Sequence, residues 1–223
     1  MSAIPELALA LALFGAPLLL LVIKRSGGSS LGLPFRLSLW AMAGIALEAA
    51  RSATPDAQVA LGMLLPTWHG AIGAGVAVVM TLAAWPLAQR LQTRAGATST
   101  LQSDAFREIV AQPLSYRLFL VVTAAVTEEI LYRGFAIGVG GQILGSAPAA
   151  IALSLVAFVG AHYRWGITHM ASVLWAAIVL TVLFVSTRDL WACIASHGVI
   201  DLIGLVVAPA MLRRRGSGSD RGR

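Results

Sequence analysis

Cysteine is nearly absent from this chain: Cys193 stands alone among 223 residues, which excludes an intramolecular disulfide. Charge is scarce as well, at 12% against 58% hydrophobic residues, and the mean hydropathy is +0.82. Those values exclude an ordinary soluble domain, and the regularity of the apolar runs excludes disorder. Sustained alternation with a period of two is missing, which excludes a membrane β-barrel. Lysine is missing too, except for Lys24 among fifteen arginines, a composition resembling that of a GC-rich bacterial genome. The net charge of +6 does not imply a nucleic-acid partner, because the basic residues sit at the ends of apolar runs and in the tail.

What remains is a series of Ala-, Leu-, Val- and Gly-rich stretches of roughly 17 to 25 residues, the length of membrane-spanning helices. The fold class is therefore all-α: a polytopic transmembrane helical bundle of about seven spans. These run near residues 4–23, 31–50, 68–88, 117–138, 147–162, 167–187 and 190–212. The first is followed by Lys24 and Arg25 and preceded by no basic residue, the reverse of a secretory signal, so it reads as an anchor with its amino terminus outward. The piece from Ala57 to Leu65 is too short to cross and is followed by Pro66, which suggests an interfacial or re-entrant segment. Four regions follow: amino-terminal spans (1–88), a polar connection (89–116), a chemistry-bearing membrane core (117–212) and a basic tail (213–223). In the connection, Phe106, Ile109 and Val110 form one apolar stripe on a short surface helix, either a lid or an interfacial element. With seven spans, Lys24, Arg25, Arg36, Arg90, Arg94, Arg107, Arg117, Arg164 and the tail fall inside, and only Arg51 and Arg188 outside. The positive-inside bias thus places the carboxyl terminus in the cytoplasm, in a bacterial cytoplasmic membrane.

The fourth span carries Glu128, Glu129 and Arg133, and loosens at the glycines of 138–141. A charged side chain at mid-membrane costs roughly 2.5 to 3.5 kcal/mol on insertion scales, so three within six residues require partners, a wet cavity or a function. Eleven residues beyond Arg117, at about 1.5 Å each, put Glu128 roughly 16 Å deep, near the bilayer middle. Glu129 and Arg133 are four apart with the acid first, the favourable order for an ion pair. Glu128, about 100° around the helix, has no such partner and is the candidate general base. His197 and Asp201 also lie one turn apart and share their stripe with Cys193; His162 follows Phe158 by four on the fifth span. Carboxylates with histidines suit activation of water and stabilisation of an oxyanion, and two histidines with carboxylates also suit zinc.

The same residues admit blander roles. The acidic pair with Arg133 serves equally as an ion-pair cluster, and His197 with Asp201 as an interhelical clasp. His69 and His169 sit near span ends and match no motif, and Cys193 reads as a packing residue.

The series Glu128-Glu129-x-x-x-Arg133, Phe158-x-x-x-His162 and His197-x-x-x-Asp201, in successive apolar segments, resembles the CPBP family. These are the CaaX protease and bacteriocin-processing intramembrane endopeptidases, which include the type II CaaX prenyl endopeptidases. The resemblance covers about residues 115–210. It implies that Glu128 and His162 activate water, that Glu129, Arg133 and Phe158 support the site, and that His197 and Asp201 line the oxyanion pocket. The family usually has Asn at the position of Asp201, so this carboxyl must be protonated, paired with His197 or a metal ligand. No metal is assigned; if one is held, its ligands come from His162, His197, Glu128 and Asp201. The pairing of Glu129 with Arg133 favours a mechanism without zinc. The implied partners are a membrane protein or peptide substrate and the lipid bilayer. A scaffold or immunity protein of the same fold, or a small transporter, stays open, although no inverted repeat supports transport.

Overall fold

The computed structural model describes residues 4–25, 32–94 and 104–211. The Gly/Ser turn at 26–30 and the basic tail at 213–223 lie outside them, as does the middle of the polar connection. Every described element is helical, and the described residues contain no strand. Five helices are long and apolar enough to cross a membrane: Ile4–Ile23, Leu33–Ala53, Trp68–Arg90, His169–Thr187 and Leu190–Met211. A sixth, Ala147–Ala161, is apolar but shorter. The remaining long helix runs over 114–143 and carries the charged pair, with a π-helical stretch at Glu129–Val139 between α-helical turns at Leu114–Glu128 and Gly140–Ile143.

The first two helices meet through small residues. Ala8, Ala12 and Ala16 recur every four positions on one, and Ala43, Ala46 and Ala50 lie buried on the other. Apolar surface supplies little driving force between helices in lipid, so close van der Waals approach along such stripes is what holds them. Helix 68–94 instead presents Ile72, Val76 and Val79 outward, as a lipid-facing span does.

The π-helical stretch is the most deeply placed part of the fold, with every residue from Glu129 to Val139 buried. Its glycines do not loosen it, contrary to the sequence expectation: the helix continues to Ile143. They are contact points. A Cβ on Gly138 would overlap the carbonyl oxygen of Ala60, and one on Gly134 would stand 3.3 Å from that of Leu61. The chain that approaches is the short helix Ala57–Leu61, the segment expected to be interfacial or re-entrant. It is fixed at its far side, where Arg188 donates to Ala60 O (3.2 Å) and the Leu190 amide to Gly62 O (2.8 Å). Asp189 caps the following helix, accepting from the Ala192 amide at 3.0 Å while its other oxygen accepts from the Thr67 amide at 3.0 Å. One end of the bundle is thereby clamped by polar contacts that leave few backbone groups to lipid.

At the other end, Arg117 is buried and donates to Leu205 O at 2.8 Å. Leu205 lies in a second π-helical stretch, Ile203–Val207, where altered winding frees carbonyls that a guanidinium can satisfy. The short helix Asp104–Val110 packs here. Phe106 and Ile109 are buried, and Ile109 clusters with Leu120, against which Tyr116, Trp165 and Leu205 pack, so these two side chains face protein.

Candidate active site

Four helices bring the sequence candidates together. Glu129 is fully buried and its Oε1 accepts two bonds, from Arg133 Nη1 at 2.9 Å and from His197 Nδ1 at 2.8 Å. The i to i+4 ion pair expected from spacing is present, and it is completed by a histidine from the last helix. Arg133 also donates to Ala177 O at 3.3 Å and lies 4.4 Å over the Phe158 ring. This knot joins helices 114–143, 147–161, 167–187 and 190–211.

Phe158 is its hub. Tyr132 meets the ring edge-on at 5.2 Å, His162 lies at 4.9 Å and His197 at 6.4 Å. The aromatic face therefore carries the Arg133 cation while the two histidines lie around the same ring.

His162 sits where helix 147–161 ends. The last turn tightens so that the His162 amide bonds Val159 O at 3.0 Å, which leaves Phe158 O free, and His162 Nδ1 takes it at 2.8 Å. A carbonyl only accepts, so Nδ1 carries the proton and Nε2 is the basic nitrogen in the neutral ring. On the last helix, His197 Nε2 stands 3.5 Å from Asp201 Oδ2. Of the roles open to Asp201, pairing with His197 is the one this geometry contains.

Glu128 differs from its neighbour in every respect. It is partly exposed and makes no hydrogen bond or ion pair among the described residues. It lines a cavity of about 910 Å³ together with His162, His197 and Asp201. The four candidate catalytic residues thus share one cavity, whereas Glu129 and Arg133 lie behind its wall.

Three further residues of this wall were not singled out by sequence as site residues. Arg36, counted there only as a cytoplasmic positive charge, lines the cavity, as do His169 and Tyr132. His169 stacks on Trp165 at 4.8 Å and lies 6.4 Å from His162, and its Nδ1 is buried without a hydrogen-bond partner among the described residues. The Tyr132 hydroxyl is likewise buried and has no hydrogen-bond partner among the described residues. One signal was legible: Arg36 is a charge five residues inside an apolar span, the same anomaly that marks Glu128. Cys193 is fully buried, its Sγ 3.7 Å from Leu180 O, and serves packing.

The donor set does not fit a metal as arranged. Among the described residues no three His, Cys, Asp or Glu side chains cluster to hold one, and both nitrogens of His197 already face carboxylates.

Residues 110–203 match the family model described as Rce1-like, the type II CAAX prenyl endopeptidases, within the CPBP family. No curated protein and no solved structure matches the chain. The matched segment contains Glu128, Glu129, Arg133, Phe158, His162, His197 and Asp201.

Proposed function

We propose that this chain, an integral membrane protein whose residues 110–203 form a CPBP-family protease core, is an intramembrane endopeptidase that cleaves a membrane-associated protein or peptide. The observation that carries the reading is the separation of two consecutive carboxylates. Glu129 is held through Oε1 by Arg133 and His197, while Glu128, which makes no hydrogen bond or ion pair among the described residues, lines a cavity that His162 also lines.

Water held between Glu128 and His162 Nε2 gives one proton to the carboxylate, and its oxygen attacks the scissile carbonyl. The C=O pair becomes an oxyanion on the side of His197 and Asp201. Collapse of the tetrahedral species re-forms the carbonyl, breaks the C–N bond and passes the proton from Glu128 to the departing amine. Arg133 and Glu129 take no proton in this sequence; they hold His197, and through Phe158 they hold His162. The substrate reaches the site from a bilayer, since the helices around the cavity are lipid-facing spans. A CaaX-like tail, a peptide leader and a carboxyl-terminal sorting tail all present such a bond. The chain acts as a multi-pass protein of a bacterial cytoplasmic membrane with its carboxyl terminus inside.

The test compares peptide termini across the membrane proteome in cells expressing the native chain, Glu128→Gln or His162→Ala at matched levels. Termini seen only with the native chain identify proteolysis and its substrate. Identical termini in all three strains would overturn the protease reading in favour of a scaffold of the same fold.

A further inference from the structure

A tight turn returns a second histidine to the side of His162. Helix 147–161 ends at His162, and a 3-10 turn follows at Tyr163–Trp165, with the Trp165 amide on His162 O at 3.0 Å. Gly166, at a φ of +88° that suits glycine, then redirects the chain into helix 167–187. His169 lies in the first turn of that helix, where its ring stacks on Trp165 at 4.8 Å and stands 6.4 Å from the His162 ring. Both histidines line the cavity that contains Glu128. His169 matches none of the motif positions shared with the family, so its place beside His162 is a property of the fold rather than of the motif.

The two rings present opposite hydrogen-bonding character. His162 commits its Nδ1–H to Phe158 O and offers Nε2 as an acceptor. In His169 it is Nδ1 that is buried without a hydrogen-bond partner among the described residues, while the side chain is only partly buried and lines the cavity. Nε2 is therefore the nitrogen left to the open side. A hydrogen on Nδ1 would be a buried donor with no acceptor, so the neutral ring carries its hydrogen on Nε2. An acceptor and a donor thus stand side by side, too far apart for a direct bond and at a spacing that suits one water between them.

We propose that His169 is a further catalytic residue, whose Nε2–H donates to the oxygen of the attacking water held by Glu128 and His162. The inference rests on the protease reading. A water that gives its two hydrogens to Glu128 and to His162 Nε2 can still rotate about the line joining them. A third bond, accepted from His169, occupies one lone pair and fixes the direction of the other, which is the pair that attacks the scissile carbonyl. No proton leaves His169: one proton of the water passes to Glu128, the other stays on the oxygen facing His162, and the Nε2–H remains bonded to that oxygen as the new C–O bond forms.

The experiment compares the native full chain with His169→Phe and His169→Gln in detergent micelles. Phe keeps a flat ring on Trp165 and removes the donor; Gln gives up the ring and returns an N–H close to the place of Nε2. Activity is read on a fluorogenic peptide spanning the bond identified by the termini comparison. We expect His169→Phe to lower kcat about 100-fold with KM within about twofold, and His169→Gln to keep at least about a tenth of the native kcat. His169→Phe should melt no lower than the native chain, since it removes a buried nitrogen that lacks a partner. If the ring serves only to pack on Trp165, Phe will be active and Gln impaired; that order, or equal losses in both variants, would overturn the proposal. A measurement independent of turnover is the nitrogen NMR spectrum of the four histidines at neutral pH, in which the signal missing from His169→Phe identifies His169. The Nε2–H tautomer is expected, and the Nδ1–H tautomer would overturn the assignment. Cleavage lost in Glu128→Gln but kept in His169→Phe rejects this role and leaves the protease reading standing, whereas a native chain that cleaves nothing rejects both.

Discussion

Replacing Arg133 with Met removes the cation of the buried knot while keeping most of its volume. Among the described residues Glu129 is then left with His197 as its only partner, at a site with no solvent exposure. Removing one member of a buried ion pair costs about 3 to 5 kcal/mol, mainly because the surviving charge is uncompensated. The bond to Ala177 O and the contact over Phe158 are also lost, which keeps the estimate from falling below that range. At about 2 to 4 °C per kcal/mol for a chain of this size, Arg133→Met should melt roughly 10 °C below the native protein. The chain carries its own reporter, since Cys193 is its single cysteine and is fully buried. A thiol-reactive fluorophore added during a detergent-phase temperature ramp therefore reads unfolding directly. The double variant Arg133→Met with Glu129→Gln removes both charges and should recover several degrees, because a neutral pair leaves no stranded carboxylate. Melting of the single variant within about 2 °C of native, or a double variant no more stable than the single, would refute the reasoning.

Three other substitutions separate fold from site. Glu128→Gln should melt within about 2 °C of native, since Glu128 has no bonded partner among the described residues to lose, while cleavage disappears; the same dye ramp and a cleavage assay check it. Asp189→Ala leaves the amides of Ala192 and Thr67 without their acceptor and should cost about 2 to 4 kcal/mol, whereas Asp189→Asn, which keeps one carbonyl acceptor, should cost less; the comparison of melting temperatures decides it. Gly138→Ala drives a methyl group into the carbonyl of Ala60 and should cost about 1 to 3 kcal/mol, but Gly141→Ala, whose Cβ would lie 3.6 Å from Ala147, should be accommodated; folded yield after extraction distinguishes them.

What was legible in the sequence is what depends on near neighbours along the chain. The helix ends follow apolar length, and the Glu129–Arg133 pair and the His197–Asp201 contact both follow from a spacing of four on a helix. Glu128 stood out because charge in an apolar run needs an explanation wherever the partner lies. Contacts between distant helices left no such trace. His197 reads as an oxyanion residue paired with Asp201, yet its Nδ1 is held by Glu129, 68 residues away. The glycines of 138–141 read as a loosening because the sequence does not show that the backbone of Ala60 presses on one of them. Arg36, Tyr132 and His169 belong to three different helices, and only their packing around one cavity gives them a shared context. The π-helical winding at Glu129–Val139 has no residue signature that hydrophobic periodicity could detect.

That winding bears on why two adjacent glutamates are used differently. Glu128 is the last residue of the α-helical part and Glu129 the first of the π-helical part. Adjacent residues on a helix diverge by about 100°, so one carboxylate can face a cavity while the other faces the protein interior. The inward one is fixed by Arg133 from its own helix and His197 from another, so its loss is felt as a loss of structure. The outward one makes no hydrogen bond or ion pair among the described residues, so under the proposed function its loss is felt as a loss of chemistry. A general base gains from this arrangement: a carboxylate already committed to an arginine is a poor proton acceptor, and a carboxylate with no rigid wall behind it is poorly aimed. The charged knot behind Phe158 supplies the wall without consuming Glu128, the proposed base. It follows that Glu128 and Glu129 are not interchangeable, and that exchanging their environments would require moving His197, Arg133 and Phe158 together.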